Sequence, residues 1–404
     1  MTLSRTIAGC GRITDRAATS PSTGSFPAEL EAVLSSTMTA AAQREITTWP
    51  GYEPTPLRSL NHLAEGLQLA EVLYKDESPR FGLGSFKALG GSYAVVCLMA
   101  DLLEAQKGER PPLAALRSGA LARAVENITV VTATDGNHGR SVAWGAQMVG
   151  CACRIYIHAE VSKGRQEAME ALGAEVVRID GDYDASLRRC AEEAAANGWY
   201  VVSDTSYEGY MDLPRNVMAG YSVMAAEVLD QIEGPPPSHV FIQAGVGGVA
   251  AAVCATFWQR LGAARPRFVI VEPATAACIL ASARAGRPAT VPIEAETIMA
   301  GLSCGEASLL AWDILSRGAQ DFLAIEEQGV ESMMRLLASG EAGGGTIEAG
   351  ESAVPGLVAL VAACRDQDLR RSLGLDDTSR VLVFGCEGAT DPAIYQQILA
   401  GNDA

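Results

Sequence analysis

A chain of 404 residues, 48% hydrophobic and 20% charged, is long enough for two domains and apolar enough to bury a core in each. Its formal net charge of −17 argues against nucleic acid or an anionic membrane as a partner, because both need clustered Lys and Arg to displace counterions. No apolar run reaches the roughly 18–20 residues of a membrane span, and no secretory signal precedes the ten cysteines, so a soluble, cytoplasmic protein with reduced thiols is expected.

In chain order, residues 1–26 are rich in Ser, Thr, Ala and Gly and are expected to be a poorly ordered extension. A proline-stiffened entry at 50–57 leads to a helical pattern ending near 69, then a strand at 72–76. A helix is expected over 86–105, where Tyr93, Val96, Cys97, Ala100 and Leu103 recur at three- and four-residue spacing. Short apolar runs then alternate with helical segments: strands at 128–134, 153–158, 175–179 and 199–202, with helices at 138–149, 161–172 and 184–196. A longer helix at 213–231 follows. The alternation resumes with strand 239–243, helix 249–261 and strand 268–271, then several helices between 274 and 371 and a last strand at 380–384. Strands spaced by helices imply crossovers and parallel sheets. The predicted architecture is α/β and two-lobed, each lobe a parallel-rich twisted sheet flanked by helices, with the active site in the cleft between lobes. The expected division is an N-terminal extension (1–45, partly disordered), a large domain (46–92 and 213–404) and a small α/β domain (93–212).

Lys87 lies among Phe86, Ala88 and Leu89, between Gly82 and Gly84 on one side and Gly90 and Gly91 on the other. Such a setting disfavours the ammonium form and suits a nucleophilic amine; a solvated lysine at a helix start is the alternative. Asp135-Gly-Asn-His-Gly139 stands between a strand and a helix, where open α/β sheets bind ligands, and Asn137 can set an amide against a ligand oxygen. His138 reads as structural. Gln243-Ala-Gly-Val-Gly-Gly-Val-Ala250 again joins strand to helix, and the N–H groups of Gly245, Val246, Gly247 and Gly248 suit a phosphate. The same stretch also fits Gly-x-Gly-x-x-Ala, with Glu272 where a ribose-binding acid would stand, so a dinucleotide-dependent dehydrogenase competes. Cys386 closes the last strand, either as a hydrogen-bonding group for a ligand or as a core cysteine. Spacing gives Glu351 no role. Cys151 and Cys153 lack a second ligand pair, so no metal site is expected.

In this order the four motifs resemble those of the fold-type II enzymes that use pyridoxal 5′-phosphate (PLP), which include threonine and serine dehydratases. The match covers about residues 51–392. The resemblance implies that Lys87 holds PLP as a Schiff base beside Phe86, Asn137 contacts its 3′-oxygen, Gly245 to Gly248 hold its phosphate and Cys386 faces its ring nitrogen. Gly51-Tyr-Glu-Pro-Thr-Pro-Leu57, Lys75-Asp-Glu-Ser-Pro-Arg-Phe-Gly-Leu83, Asp204-Thr-Ser-Tyr-Glu-Gly-Tyr210, Ile298-Met-Ala-Gly-Leu-Ser-Cys-Gly-Glu306 and Glu387-Gly-Ala-Thr-Asp391 are similar, more closely, to the diaminopropionate ammonia-lyase family.

That likeness implies α,β-elimination of the β-amine of 2,3-diaminopropionate, followed by hydrolysis of the aminoacrylate to pyruvate and a second ammonia. Its catalytic residues would be Lys87, Asp135 and Asp204, with Lys87 the base for the L-isomer and Asp135 for the D-isomer. Asp135 stands where the hydroxy-amino-acid dehydratases usually have a small residue. A carboxylate there suits the additional cationic amine of a diamino acid. A serine/threonine or hydroxyaspartate ammonia-lyase is the nearest alternative. The family habit implies a homodimer, and Cys278 and Cys304 fall where the family can form a disulfide. Gly84-Ser85 departs from the family's usual residues before Phe-Lys, which bears on the substrate. No effector-binding module is expected beyond Asp391.

Overall fold

The computed structural model describes residues 3–134 and 136–401. In chain order the strands are β1 (Ile13–Ala18), β2 (Leu57–Ser59), β3 (Glu71–Asp76), β4 (Thr129–Ala133), β5 (Ala152–Ile157), β6 (Glu175–Arg178) and β7 (Tyr200–Val201). β8 (His239–Gln243), β9 (Arg267–Pro273), β10 (Asp321–Ile325) and β11 (Arg380–Gly385) follow. Four helices matter for the site: α1 (Lys87–Lys107), α2 (Asn137–Val149), α3 (Gly248–Leu261) and α4 (Cys278–Ala285). The chain divides into two compact units, one of Met1–Ser36, Pro54–Ser85 and Met224–Ala404, the other of Thr37–Glu53 and Phe86–Val223.

The first unit is built on a seven-stranded sheet of order β1-β10-β9-β8-β11-β3-β2. Pairing is parallel from β10 through β3, and β1 and β2 close the two edges antiparallel. Strands β8 and β10 are buried at every residue, as expected for parallel strands covered on both faces. The core gathers Val269, Val271, Phe241, Val381 and Val383 from the sheet with Leu357, Val361, Met333 and Leu337 from covering helices.

Three expectations fail here. Residues 3–26 are not a loose extension: Leu3–Gly9 is helical, and β1 pairs with β10 in alternating burial, with Cys10 buried beside it. An edge strand of mixed polarity is stabilised by its distant partner rather than by its own composition. The region 274–371 also contains β10, and β2 stands where a helix was expected to begin.

A buried ionic cluster lies under the same sheet. Arg80 donates to Glu77 at 2.8 Å and to Glu227 at 2.7 and 2.8 Å, while Lys75 meets Glu227 at 2.6 Å, all four side chains being at most 4% exposed. Two cations against two carboxylates leave no net buried charge, which is the condition for tolerating the desolvation.

The second unit has a four-stranded parallel sheet of order β6-β5-β4-β7. The division expected at 92/93 and 212/213 falls instead at 85/86 and 223/224, and residues 37–53 join this unit. Packing explains the shift: α1 runs unbroken from Lys87, and Gly220 lies so close to it that a methyl group there would stand 2.2 Å from the carbonyl oxygen of Leu89. A boundary at 92 would cut through a buried helix. By length and composition α1 could cross a membrane, contrary to the expectation from apolar runs, but its most apolar window is 78% buried inside the protein.

Candidate active site

Lys87 is the first residue of α1 and Asn137 the first of α2. These two helix starts are tied together. The Ser141 hydroxyl donates to the Lys87 carbonyl at 2.6 Å and accepts the Ser92 amide at 2.9 Å, while the Ser92 hydroxyl donates to the Ser141 carbonyl at 2.7 Å.

The Lys87 amine forms an ion pair with Asp204, and both side chains are about four-fifths buried. It also lies 5.6 Å from the Phe86 ring centroid and 6.0 Å from that of Tyr221. The setting is thus apolar on one side and carboxylate on the other, rather than apolar throughout. Asp204 reaches this place because β7 runs parallel to β4, which puts the segment after β7 beside the turn that opens α2. Burial opposes ionisation of Asp204, but Lys87 and, after it, His138 outweigh this and hold the carboxyl well below the usual carboxylate range. His138 donates from Nε2 to the Val202 carbonyl at 2.8 Å and presents Nδ1 4.0 Å from Asp204. Burial lowers the His138 imidazole below its ordinary value; Asp204 opposes this and Lys87 adds to it. Asp135, the third expected catalytic residue, lies outside the described residues.

In the first unit, the glycine loop joins β8 to α3, and Cys386 follows β11, the neighbouring parallel strand. Gln243 Nε2 donates to the Phe384 carbonyl at 2.8 Å, which fixes the two strand ends together. Gly247 caps α3 with φ +94°, a left-handed conformation, and a Cβ there would press within 3.0 Å of Ile279 and 3.1 Å of Ala311. No side chain caps α3, so its first N–H groups face a bare backbone turn. That is the donor set a phosphate dianion requires, and the loop fits the phosphate of PLP. Cys386 is 3% exposed.

Sequence reasoning missed the supports. Glu387 accepts the Ser352 amide at 3.0 Å, the Ser352 hydroxyl accepts the Gly301 amide at 3.2 Å, and Ser85 forms a β-bridge with Glu387. The Gly350-Glu-Ser-Ala353 turn therefore acts through Ser352 to brace the segment after Cys386. Cys278 and Cys304 are both thiols, and Cys278 donates to the Gly245 carbonyl at 3.6 Å.

Glu272 does not stand where a ribose could meet it. It is fully buried, accepts the Ile279 and Leu280 amides at 2.8 and 2.7 Å, and so caps α4; burial pushes its carboxyl up to about 8 against those two donors. The acid of the dinucleotide reading is a helix cap.

A family model described as pyridoxal-phosphate dependent enzyme matches residues 48–387, which defines the class and its cofactor, pyridoxal 5′-phosphate. The diaminopropionate ammonia-lyase of Salmonella typhimurium is 37% identical over 359 residues, 87% of this chain and 89% of the relative. A crystal structure of the selenomethionine-incorporated holo diaminopropionate ammonia-lyase of Escherichia coli superposes with a TM-score of 0.87 at 34% identity, covering 96% of this chain and 97% of the other. A second structure of the Escherichia coli enzyme, in complex with an aminoacrylate-PLP azomethine reaction intermediate, gives 0.85 at 34% identity, covering 96% and 98%. The chain belongs to the diaminopropionate ammonia-lyase family within that class.

Proposed function

We propose that this chain converts 2,3-diaminopropionate and water into pyruvate and two molecules of ammonia, with Lys87 carrying PLP. The observation that carries the reading is the ion pair of Lys87 with Asp204 at the start of α1, in a chain of this family. When bound, PLP supplies an electron sink for charge developing at the substrate's α-carbon.

The chain's own residues do the rest. Gly245, Val246, Gly247 and Gly248 would hold the phosphate with backbone N–H groups, and Asn137, Phe86 and Cys386 would serve its ring, Asn137 at the ring oxygen and Cys386 at the nitrogen. A thiol cannot protonate that nitrogen fully, which favours β-elimination over transamination. The Lys87 amine would take the α-proton from the L-isomer, and Asp135 would take it from the D-isomer. Asp204 orients Lys87 and offsets the charge of the substrate's second amine. A proton held in the site, supplied through Asp135, goes out with that amine as ammonia. Ser85 and the two aspartates decide between diamino and hydroxy amino acids. We take the working form to be a cytoplasmic homodimer, which sedimentation of the purified protein tests.

The deciding experiment is borohydride reduction followed by peptide mapping, with a pyruvate-release screen over both isomers of diaminopropionate, serine and threonine. The cofactor should be fixed on Lys87, Lys87→Ala should abolish turnover, and diaminopropionate should outcompete the hydroxy amino acids. Preference for serine or threonine would overturn the substrate assignment.

A further inference from the structure

The segment that delivers Asp204 is held by groups far along the chain. The Tyr210 hydroxyl accepts the Ser203 amide at 3.0 Å and donates to the Val201 carbonyl at 2.9 Å. His138 takes the carbonyl between them, Val202, at 2.8 Å, and the Val202 amide donates to Val131 of β4 at 2.8 Å. Successive backbone groups just before Asp204 are thus fixed by two side chains and one strand. Tyr210 is itself locked. It exchanges backbone hydrogen bonds with Tyr207 at 2.9 and 3.3 Å, and the two rings stack at 5.0 Å with planes 18° apart.

We propose that Tyr210 is a positioning residue for the elimination: its hydroxyl clamps the backbone on the N-terminal side of Asp204 and thereby sets the carboxylate against the Lys87 amine. The inference rests on the assignment of Lys87 and Asp204 given above. The physical ground is that an ion pair's effect on an amine depends on distance and angle, and a misplacement of about 1 Å costs as much as 10²-fold in rate. Beyond the Val202 amide, the segment between a two-residue strand and a turn has no ladder to hold it to that tolerance. The phenol supplies what the ladder lacks, accepting from one peptide and donating to another.

Tyr210→Phe keeps the ring and its stack and removes only the hydroxyl; Tyr207→Phe is the control, since its exposed ring keeps the stack and its hydroxyl is no part of the clamp. Tyr210→Phe should lower kcat about 10-fold with KM changed less than about twofold, and should move the pH midpoint of the bound cofactor's visible band down by about 0.5–1 unit, because a displaced carboxylate stabilises the protonated nitrogen less. Tyr207→Phe should leave both unchanged. Combined with Asp204→Asn, Tyr210→Phe should add no further loss, as expected when one residue acts through the other.

Wild-type kcat and band midpoint in Tyr210→Phe, or losses that add to those of Asp204→Asn, would overturn the proposal. So would fast exchange of the Ser203 amide in the wild-type holoenzyme, a measurement that needs no variant to fold. If borohydride fixes the cofactor elsewhere than Lys87, the catalytic assignment fails and this inference with it; fixation on Lys87 without the Tyr210 effects overturns the clamp alone.

Discussion

The Ser141 hydroxyl holds the carbonyl of Lys87 at 2.6 Å, so the helix that begins with Asn137 grips the helix that begins with Lys87. Ser141→Ala removes that donor and also the acceptor that Ser141 offers the Ser92 amide at 2.9 Å. Losing buried hydrogen bonds without replacement should cost about 1–3 kcal/mol in urea unfolding. A variant as stable as the parent would mean that the two helix starts are held by apolar packing alone.

The Lys87–Asp204 pair makes stability pH-dependent. The folded carboxyl is depressed below its ordinary 3.8, with burial opposing the shift and Lys87 and His138 driving it. The folded state therefore binds fewer protons than the unfolded one, and the stabilisation is present above 3.8 and lost as pH falls through the folded value. Urea midpoints from pH 7 down to the acid limit should fall more steeply for wild type than for Asp204→Asn, the difference being on the order of 2 kcal/mol. Parallel curves would remove Asp204 from the account.

Gly247→Ala should weaken PLP binding. Its φ of +94° and the contacts at 3.0 and 3.1 Å that a methyl group would make force the loop to move, at about 1–3 kcal/mol. Spectroscopic titration of the apoenzyme with PLP should show an affinity reduced at least about tenfold. Unchanged affinity would place the phosphate elsewhere.

Arg80→Met should be among the most destabilising single changes, at about 3–5 kcal/mol, because Glu77 and Glu227 would face only Lys75 in a buried site. Arg110→Met breaks an ion pair too, but Arg110 is 41% exposed and its pairs with Asp101 and Glu104 are worth about 0–1 kcal/mol. Chemical unfolding of both variants tests the contrast, and similar losses would contradict it.

Much of the proposed site is legible in the chain because its motifs stand where a short apolar strand meets a glycine turn, as at Gln243 to Gly248 and at Phe384 to Cys386. β8 is readable to the residue for that reason, its five positions all being apolar or buried. β1, reading Ile-Thr-Asp-Arg-Ala-Ala, carries the alternation of an edge strand too weakly to be seen without β10, and β10 lies among helices that mask its period. Asp204 was reached only through resemblance, because no local spacing marks it. What holds it was not legible: the contacts of Val202 with His138 and of Ser203 with Tyr210 depend on where separate turns fold. Glu272 shows the converse, a residue placed correctly at a strand end whose environment assigns it a different task.

The pairing of β1 with β10, and of β3 with β11, has a consequence for how the chain is made. Emerging from the ribosome N-terminus first, β1 waits for residues 321–325, and the β2–β3 pair waits for residues 380–385 before it joins the rest of the sheet. The sheet that carries the glycine loop is therefore completed only after residues 380–385 have emerged. The stretch from Phe86 to Val223, which carries Lys87 and Asp204, is continuous and has its own sheet in hand far earlier. The lysine's surroundings are assembled before the sheet that carries the glycine loop, and until residues 380–385 emerge the first unit has open strand edges of the kind that chaperones shield.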